Sequence, residues 1–299
     1  ECPKRPKREL KMKIWIFLPA YNEEESLVNL LPKFKEFFSQ ERQIDYSILI
    51  VDDGSSDGSV KVAEAAGSDM PIKVIKHSMN RGLGETERSG FEYIAENAGE
   101  EDIVIRLDCD DTHEPQYIAS MLDKLEEGYD VVNTSRFQPG GYQMGVNSYR
   151  SFISRSANVF MKILFGLTGM KDYSCGFRAY RVKKIKDAVK VFGNNFLQMR
   201  GFGFTSTLEI IIKLNLLGCR FAEVPFGLRY DQKVTESKMV SGTTMLGYIV
   251  MSALYHLPCS GWRTYKKLLS GLGDKSVDEI AKEYLKIKSS KSIPSRFGA

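Results

Sequence analysis

The sequence predicts an α/β fold with a mostly parallel central sheet flanked by helices. Three observations lead there. Short apolar, β-favouring runs alternate with helix-period stretches from about Lys13 to about Ser135, the signature of strands joined by crossover helices. No composition break interrupts the chain from Lys13 to about Tyr230, so one large domain is expected rather than two. Polar and acidic clusters recur where the apolar runs end, and in such sheets ligands bind beyond the carboxyl ends of the strands.

The first strand is Lys13–Leu18, stopped by Pro19-Ala-Tyr-Asn-Glu23; proline cannot continue a ladder. Leu27, Leu30, Leu31, Phe34, Phe37 and Phe38 then share one stripe of a helix. Tyr46–Val51 is the second strand, and Asp52-Asp-Gly-Ser-Ser-Asp-Gly58 is the turn after it. A helix to about Ala66 leads to a strand at Ile72–Lys76. Arg81-Gly-Leu-Gly84 opens the next helix, which runs to about Asn97. That glycine pair lacks the third glycine of a dinucleotide fingerprint and the Gly-Lys-Ser/Thr ending of a phosphate loop, so it reads as a close-packed helix start that also touches a nucleotide. Ile103–Leu107 is a buried strand ending in Asp108, Asp110 and Asp111. A helix to about Glu126 and a strand at Tyr129–Ser135 follow.

Three carboxylates at one strand end raise each other's proton affinity, and a hard divalent cation relieves that cost. On this stretch alone, an acidic solvated turn or a capped helix start reads equally well.

The 299 residues carry a net charge of +4, all of it attributable to the first thirteen residues, so the folded body is near neutral and nucleic-acid binding is not indicated. Residues 1–12 read as a disordered basic leader, with an anionic membrane surface as the functional alternative. Cys2, Cys109, Cys175, Cys219 and Cys259 form no CxxC pair, which argues against a disulfide framework or zinc site and for a reducing compartment. The longest apolar run, Met245–Leu257, is too short to cross a bilayer.

Pro19-Ala-Tyr-Asn-Glu23, Val51-Asp-Asp-Gly-Ser-Ser-Asp-Gly58 and Asp108-Cys-Asp110, in order and at strand ends, resemble the markers of family 2 glycosyltransferases with the Rossmann-like GT-A fold. The resemblance implies a nucleoside-diphosphate sugar donor and an Mg²⁺ or Mn²⁺ ion. Asp108 and Asp110 would hold the metal, with Thr112 standing where the family commonly has a glutamine. Donor contacts are expected from Pro19, Tyr21, Asn22, Glu23, Asp52, Asp53, Gly84 and Asp108.

Ser135-Arg-Phe-Gln-Pro-Gly-Gly141, Asp172-Tyr-Ser-Cys-Gly-Phe-Arg178 and Glu223-Val-Pro225 with Arg229 and Ser237-Lys-Met239 are similar to polyprenyl-phosphate glycosyltransferases, over about Lys13 to Met239. That likeness implies a polyprenyl (dolichyl or undecaprenyl) phosphate acceptor held by Arg136, Arg150, Ser154 and Arg229. Lys238 and Arg178 join this basic group. Asp108, Asp110, Arg136 and Arg229 are the expected catalytic residues. The donor is GDP-mannose or UDP-glucose.

From Tyr149 to Leu167, Arg150, Ser154, Asn158 and Lys162 recur every four residues and share a helix face opposite an apolar one. Such a helix suits a membrane interface, or equally an ordinary packed amphipathic helix. The expected organisation is a catalytic domain over 13–240 and a helical extension with a polar tail over 241–299. The expected location is peripheral, on the cytoplasmic face of a membrane, with homo-oligomerisation possible. Two other readings stay open: a soluble enzyme glycosylating a saccharide hydroxyl, with Asp111 or Asp172 as base, and a catalytically silent nucleotide-sugar-binding protein.

Overall fold

A computed structural model describes residues 12–40, 44–233, 241–256, 266, 269–270 and 275–290. The leader apart from Met12, the Lys238 region and the polar tail lie outside the described residues.

The first half alternates as its sequence pattern requires: β1 (Lys13–Ala20), α1 (Glu24–Gln40), β2 (Asp45–Asp52), α2 (Ser59–Ala66), β3 (Ile72–Lys76), α3 (Leu83–Asn97), β4 (Ile103–Arg106), α4 (Ile118–Glu126) and β5 (Val131–Ser135). The second half adds β6 (Tyr142–Met144), α5 (Ser148–Phe165), β7 (Arg178–Arg181), α6 (Val182–Phe192), α7 (Thr205–Leu216), β8 (Phe221–Pro225), β9 (Gly227–Arg229), α8 (Ser241–His256) and α9 (Val277–Ser290).

Seven strands form one sheet in the order β3-β2-β1-β4-β7-β5-β8. Each pairing is parallel except those of β7, which runs antiparallel between β4 and β5. β6 and β9 pair as a separate two-stranded sheet. The sequence pattern misses β7 as a strand, because four residues at the end of a polar motif are too short to show a period of two.

Alternation along the strands places the core on both sheet faces. Trp15, Phe17, Leu49, Val51, Val104 and Tyr180 turn to one side, where Phe91 and Ile94 of α3, Ile185 of α6 and Ile211 of α7 meet them. Ile14, Ile16, Leu18, Ile48, Ile50 and Ile105 turn to the other, against Leu27, Leu30 and Phe34 of α1 and Met121 of α4. Each fully buried large side chain contributes about 1.5–3 kcal/mol relative to exposure. Tyr248, Met251 and Tyr255 of α8 and Ile280 of α9 belong to the first of these cores, so the helical extension packs onto the same body.

In a sheet buried on both faces, strand ends are the places where backbone and carboxylates reach solvent. The carboxyl ends of β1, β2 and β4 lie side by side and carry the three motifs.

Candidate active site

The loop after β1 and the loop after β2 are stitched together by their own side chains. Asn22 has φ of 50°; its N–H donates to Ser55 Oγ at 2.8 Å and its Oδ1 accepts from the Ser56 N–H at 2.8 Å. Asp52 accepts from the Ser55 N–H at 3.1 Å, and the Glu23 N–H donates to Ser59 Oγ at 2.8 Å. Asn22 and Asp52 therefore shape the loops, and neither lines the cleft that forms beside them. Asp53 accepts from the N–H groups of Arg81 at 2.9 Å and Gly82 at 2.7 Å and pairs with His77 Nδ1 at 2.7 Å. It ties the approach to α3 against β2.

The cleft has a volume of about 380 Å³. Of the residues expected on the donor side, Pro19, Tyr21, Glu23, Asp53 and Asp108 line it, together with Asp110. Gly84 does not: a Cβ there would lie 2.4 Å from Arg200 Cα, so its lack of a side chain admits the loop before α7. Gly82, with φ of 88°, is the glycine of that pair on the cleft. Gly203, Phe204, Lys233 and Thr243 complete the wall from the far half of the chain. Sequence reasoning missed Lys233, although it follows Arg229 by only four residues in the same polar loop.

Arg106 at the end of β4 reaches forward to pair with Asp108 and sideways to Glu87 of α3, 3.1 Å away. A Cβ on Gly176 would lie 2.1 Å from Arg106 Nη1 and 3.3 Å from Asp108 Oδ1, so only glycine leaves room for this pair. Burial opposes ionisation of Asp108, but Arg106, helped by His113 and Lys233, outweighs it and holds the carboxyl below its usual range. Asp110 accepts from the Thr112 hydroxyl at 2.6 Å and pairs with Lys233. Thr112 is 2% exposed, so it sits behind Asp110 and orients that carboxylate instead of facing the cleft. Asp111, with φ of 59°, turns to Lys33 at 2.8 Å, and burial raises its proton affinity despite that partner.

Asp108 and Asp110 supply hard oxygen donors, and among the described residues the cleft sets four carboxylates (Glu23, Asp53, Asp108, Asp110) against the Lys233 ammonium and, behind Asp108, the Arg106 guanidinium. That excess of negative charge suits a divalent cation. Among the described residues no group of three or more His, Cys, Asp or Glu side chains forms a closed metal cage. Two carboxylates with open positions fit an Mg²⁺-like ion that completes its shell with substrate oxygens.

The basic side is built on Arg136, just past β5. Its Nε donates to Asp172 Oδ2 at 2.7 Å, and its Nη2 donates to Asp172 Oδ1 at 2.8 Å, Ser174 Oγ at 2.7 Å and Ser154 Oγ at 3.2 Å. Ser154 and Arg136 thus meet as expected. Arg178 is a correction: it is fully buried and spends its donors on Asn133 Oδ1 and the carbonyls of Tyr173 and Thr207, so it holds the fold and faces no ligand. Arg229 pairs with Asp231 at 2.9 Å, and its N–H donates to the Thr112 carbonyl at 3.1 Å, which places its backbone beside the acidic turn. Arg150 lies in the first turn of α5, but its side chain is outside the described residues, as is all of Lys238.

The loop 172–177 joins the two halves, since Ser174 bonds Arg136 and Gly176 abuts Asp108. Asp172 is fully buried; burial opposes its ionisation, yet the Arg136 guanidinium holds its carboxyl below the usual range. It is unsuited to act as a base. A depressed carboxylate stabilises the fold fully above its unfolded value of about 4, and that contribution is lost as pH falls through the lower folded value. Urea titrations below about pH 4 are expected to show a steeper acid loss of stability in the wild type than in Asp172→Asn.

α5 is turned opposite to an ordinary amphipathic helix. Asn158 is buried, accepting from the Tyr173 N–H at 2.8 Å, whereas Phe152 is 69% and Ile163 is 77% exposed. Val159 and Phe160 are exposed beside them, as are Met245, Leu246 and Ile249 on α8. Lys162 departs from the inward polar stripe and is exposed.

An acid-rimmed cleft at the carboxyl edge of a mostly parallel sheet, together with the family match that follows, marks the chain as a glycosyltransferase of the GT-A fold. It matches the model of glycosyl transferase family 2 over residues 15–188 and belongs to that family. The chain is 28% identical over 232 residues to an undecaprenyl-phosphate mannosyltransferase of Micrococcus luteus, covering 77% of this chain and 89% of the relative. It is 31% identical over 241 residues to a dolichol-phosphate mannosyltransferase of Pyrococcus furiosus, covering 80% of this chain and 62% of the relative. The fold is shared with glucosyl-3-phosphoglycerate synthase from Mycobacterium tuberculosis, solved with Mn²⁺, UDP and phosphoglyceric acid (TM-score 0.58, 18% identity, 84% of this chain and 81% of that one).

Proposed function

We propose that the protein transfers a hexose from a nucleoside-diphosphate sugar to a polyprenyl phosphate, inverting the anomeric carbon. The observation that carries this reading is the loop 172–177, whose Ser174 bonds Arg136 while its Gly176 abuts Asp108, so that one short loop links the Arg136–Ser154 pair to the acidic turn. An arginine held rigid by a buried carboxylate is a preorganised phosphate partner, and its Nη1 makes no hydrogen bond among the described residues. Relatives named for undecaprenyl-phosphate and dolichol-phosphate mannosyl transfer support the same acceptor class and favour GDP-mannose over UDP-glucose as donor.

A phosphate monoester is already anionic near neutral pH, so attack on the anomeric carbon needs no protein base. The work left to the chain is positioning and electrostatics. Arg136 and Ser154 would orient the acceptor phosphate, with Arg150 and Arg229 as further contacts. Pro19, Tyr21 and Glu23 would hold the nucleoside. Asp108 and Asp110 would hold Mg²⁺ or Mn²⁺, which when bound supplies neutralisation of charge on the departing diphosphate. Asp53, saturated by the approach to α3, would fix the cleft wall.

No described helix is long and apolar enough to cross a membrane. The outward apolar face of α5, next to a polar face that carries Ser154, supports peripheral seating on a membrane surface.

The test is transfer of radiolabelled mannose or glucose from GDP-mannose or UDP-glucose to a short-chain polyprenyl phosphate, the matching polyprenol and a free saccharide. Label is expected in the phosphate-linked product alone. Transfer to a hydroxyl acceptor with none to the phosphate would overturn the acceptor assignment.

A further inference from the structure

The family markers in this sequence give no part to Lys233, a cation of the cleft. Lys233 is the only Lys or Arg among the described residues lining it. Its side chain is 11% exposed, and its ammonium pairs with Asp110 Oδ2. The other oxygen of that carboxylate, Oδ1, is taken by the Thr112 hydroxyl at 2.6 Å and the Thr112 N–H at 3.3 Å. Oδ2 is therefore the oxygen that Asp110 offers to the cleft, and Lys233 occupies it.

We propose that Lys233 binds the diphosphate of the sugar donor, and that without a nucleotide it stands at Asp110 in place of the divalent cation. The inference rests on the donor reading above. One carboxylate oxygen cannot serve an ammonium and a divalent ion at full strength, because the two cations repel each other. Metal binding therefore displaces Lys233, whose flexible four-carbon stem carries a compact charge over several ångströms. Once displaced, the ammonium still faces Asp108 and Glu23 across the cleft, and the diphosphate that arrives with the metal offers it a further anionic partner. The ammonium thus balances the charge of Asp110 when no divalent ion is bound and becomes a donor ligand when one is.

The two roles give opposite signs for one substitution. In Lys233→Met, the affinity for Mn²⁺ alone, read from the free-ion electron paramagnetic resonance signal, is expected to tighten several-fold, since a competitor for Asp110 is gone. Affinity for GDP or UDP at saturating Mn²⁺, read by calorimetry, is expected to weaken about tenfold or more, the worth of one charge-assisted hydrogen bond. Lys233→Arg is expected to keep most of the nucleotide affinity. Melting curves of the three proteins check that each is folded.

A purely structural salt bridge would instead give weaker Mn²⁺ binding together with a lowered melting temperature in both variants. That result, or unchanged affinities for Mn²⁺ and nucleotide, would overturn the assignment of Lys233 while leaving the donor reading intact. If the wild type itself shows no Mn²⁺-dependent binding of GDP or UDP, the donor reading fails and this inference falls with it.

Discussion

Asp110→Asn is expected to cut glycosyl transfer on the order of a thousandfold, about 4 kcal/mol of transition-state stabilisation, with the melting temperature nearly unchanged. The substitution keeps the shape of the side chain and an acceptor for the Thr112 hydroxyl, which lies 2.6 Å from Oδ1 in the native protein. It removes the charge that Asp110 presents to the cleft. The loss should therefore fall on kcat and on the dependence of rate on Mg²⁺ or Mn²⁺. The check is a pair of metal titrations of transfer rate, wild type against variant. A variant that keeps kcat and its metal dependence but melts earlier would show that Asp110 only holds the turn after β4.

Glu209→Ala is expected to cost about 3–5 kcal/mol of stability, the largest single effect on folding proposed for this chain. Glu209 and Lys213 are one turn apart on α7 and both fully buried, 2.7 Å from each other. Glu209 also accepts from the N–H groups of Gln198 at 2.7 Å and Met199 at 2.8 Å, and Lys213 donates to the carbonyls of Asn195 and Phe196. Burial pushes the Lys213 ammonium down to about 8 even with Glu209 beside it. Losing the carboxylate strands a buried charge and two backbone donors together.

Glu209→Ala with Lys213→Met is expected to recover part of the loss, since a buried pair replaced by apolar side chains is often nearly neutral. Urea midpoints of the single and double variants test this. Equal midpoints for the wild type and Glu209→Ala would refute it. The pair anchors the segment that leads to Gly203 and Phe204 on the cleft wall, so donor KM should rise in the folded fraction of the single variant.

The site was legible in part, and the reason lies in how local each contact is. Pro19, Tyr21, Glu23, Asp53, Asp108 and Asp110 could be found because each sits where a strand pattern ends, and strand ends are read within a few residues. Asn22, Asp52 and Gly84 stood in the same motifs and turned out to shape loops, because motif membership does not say which side chain faces the cavity. Arg178 shows the same limit. Its place in Gly-Phe-Arg looked like phosphate recognition, yet its donors are consumed by Asn133 and two backbone carbonyls.

Near-neighbour physics was enough for the parallel half of the sheet. The continuous apolar runs of β1, β2 and β4, the helical stripe of α1 and the acids at the strand ends all follow from the order of near neighbours in the chain. Those the sequence determined alone. The tertiary structure decided what depends on contacts between distant positions. It inserted β7 antiparallel between β4 and β5 and turned the polar stripe of α5 inward onto the loop 172–177. It brought Arg136 to Asp172 across 36 residues and Lys233 to Asp110 across 123. A charge finds its partner by the free energy of leaving water, which is set by the folded surroundings and leaves no periodic trace in the chain.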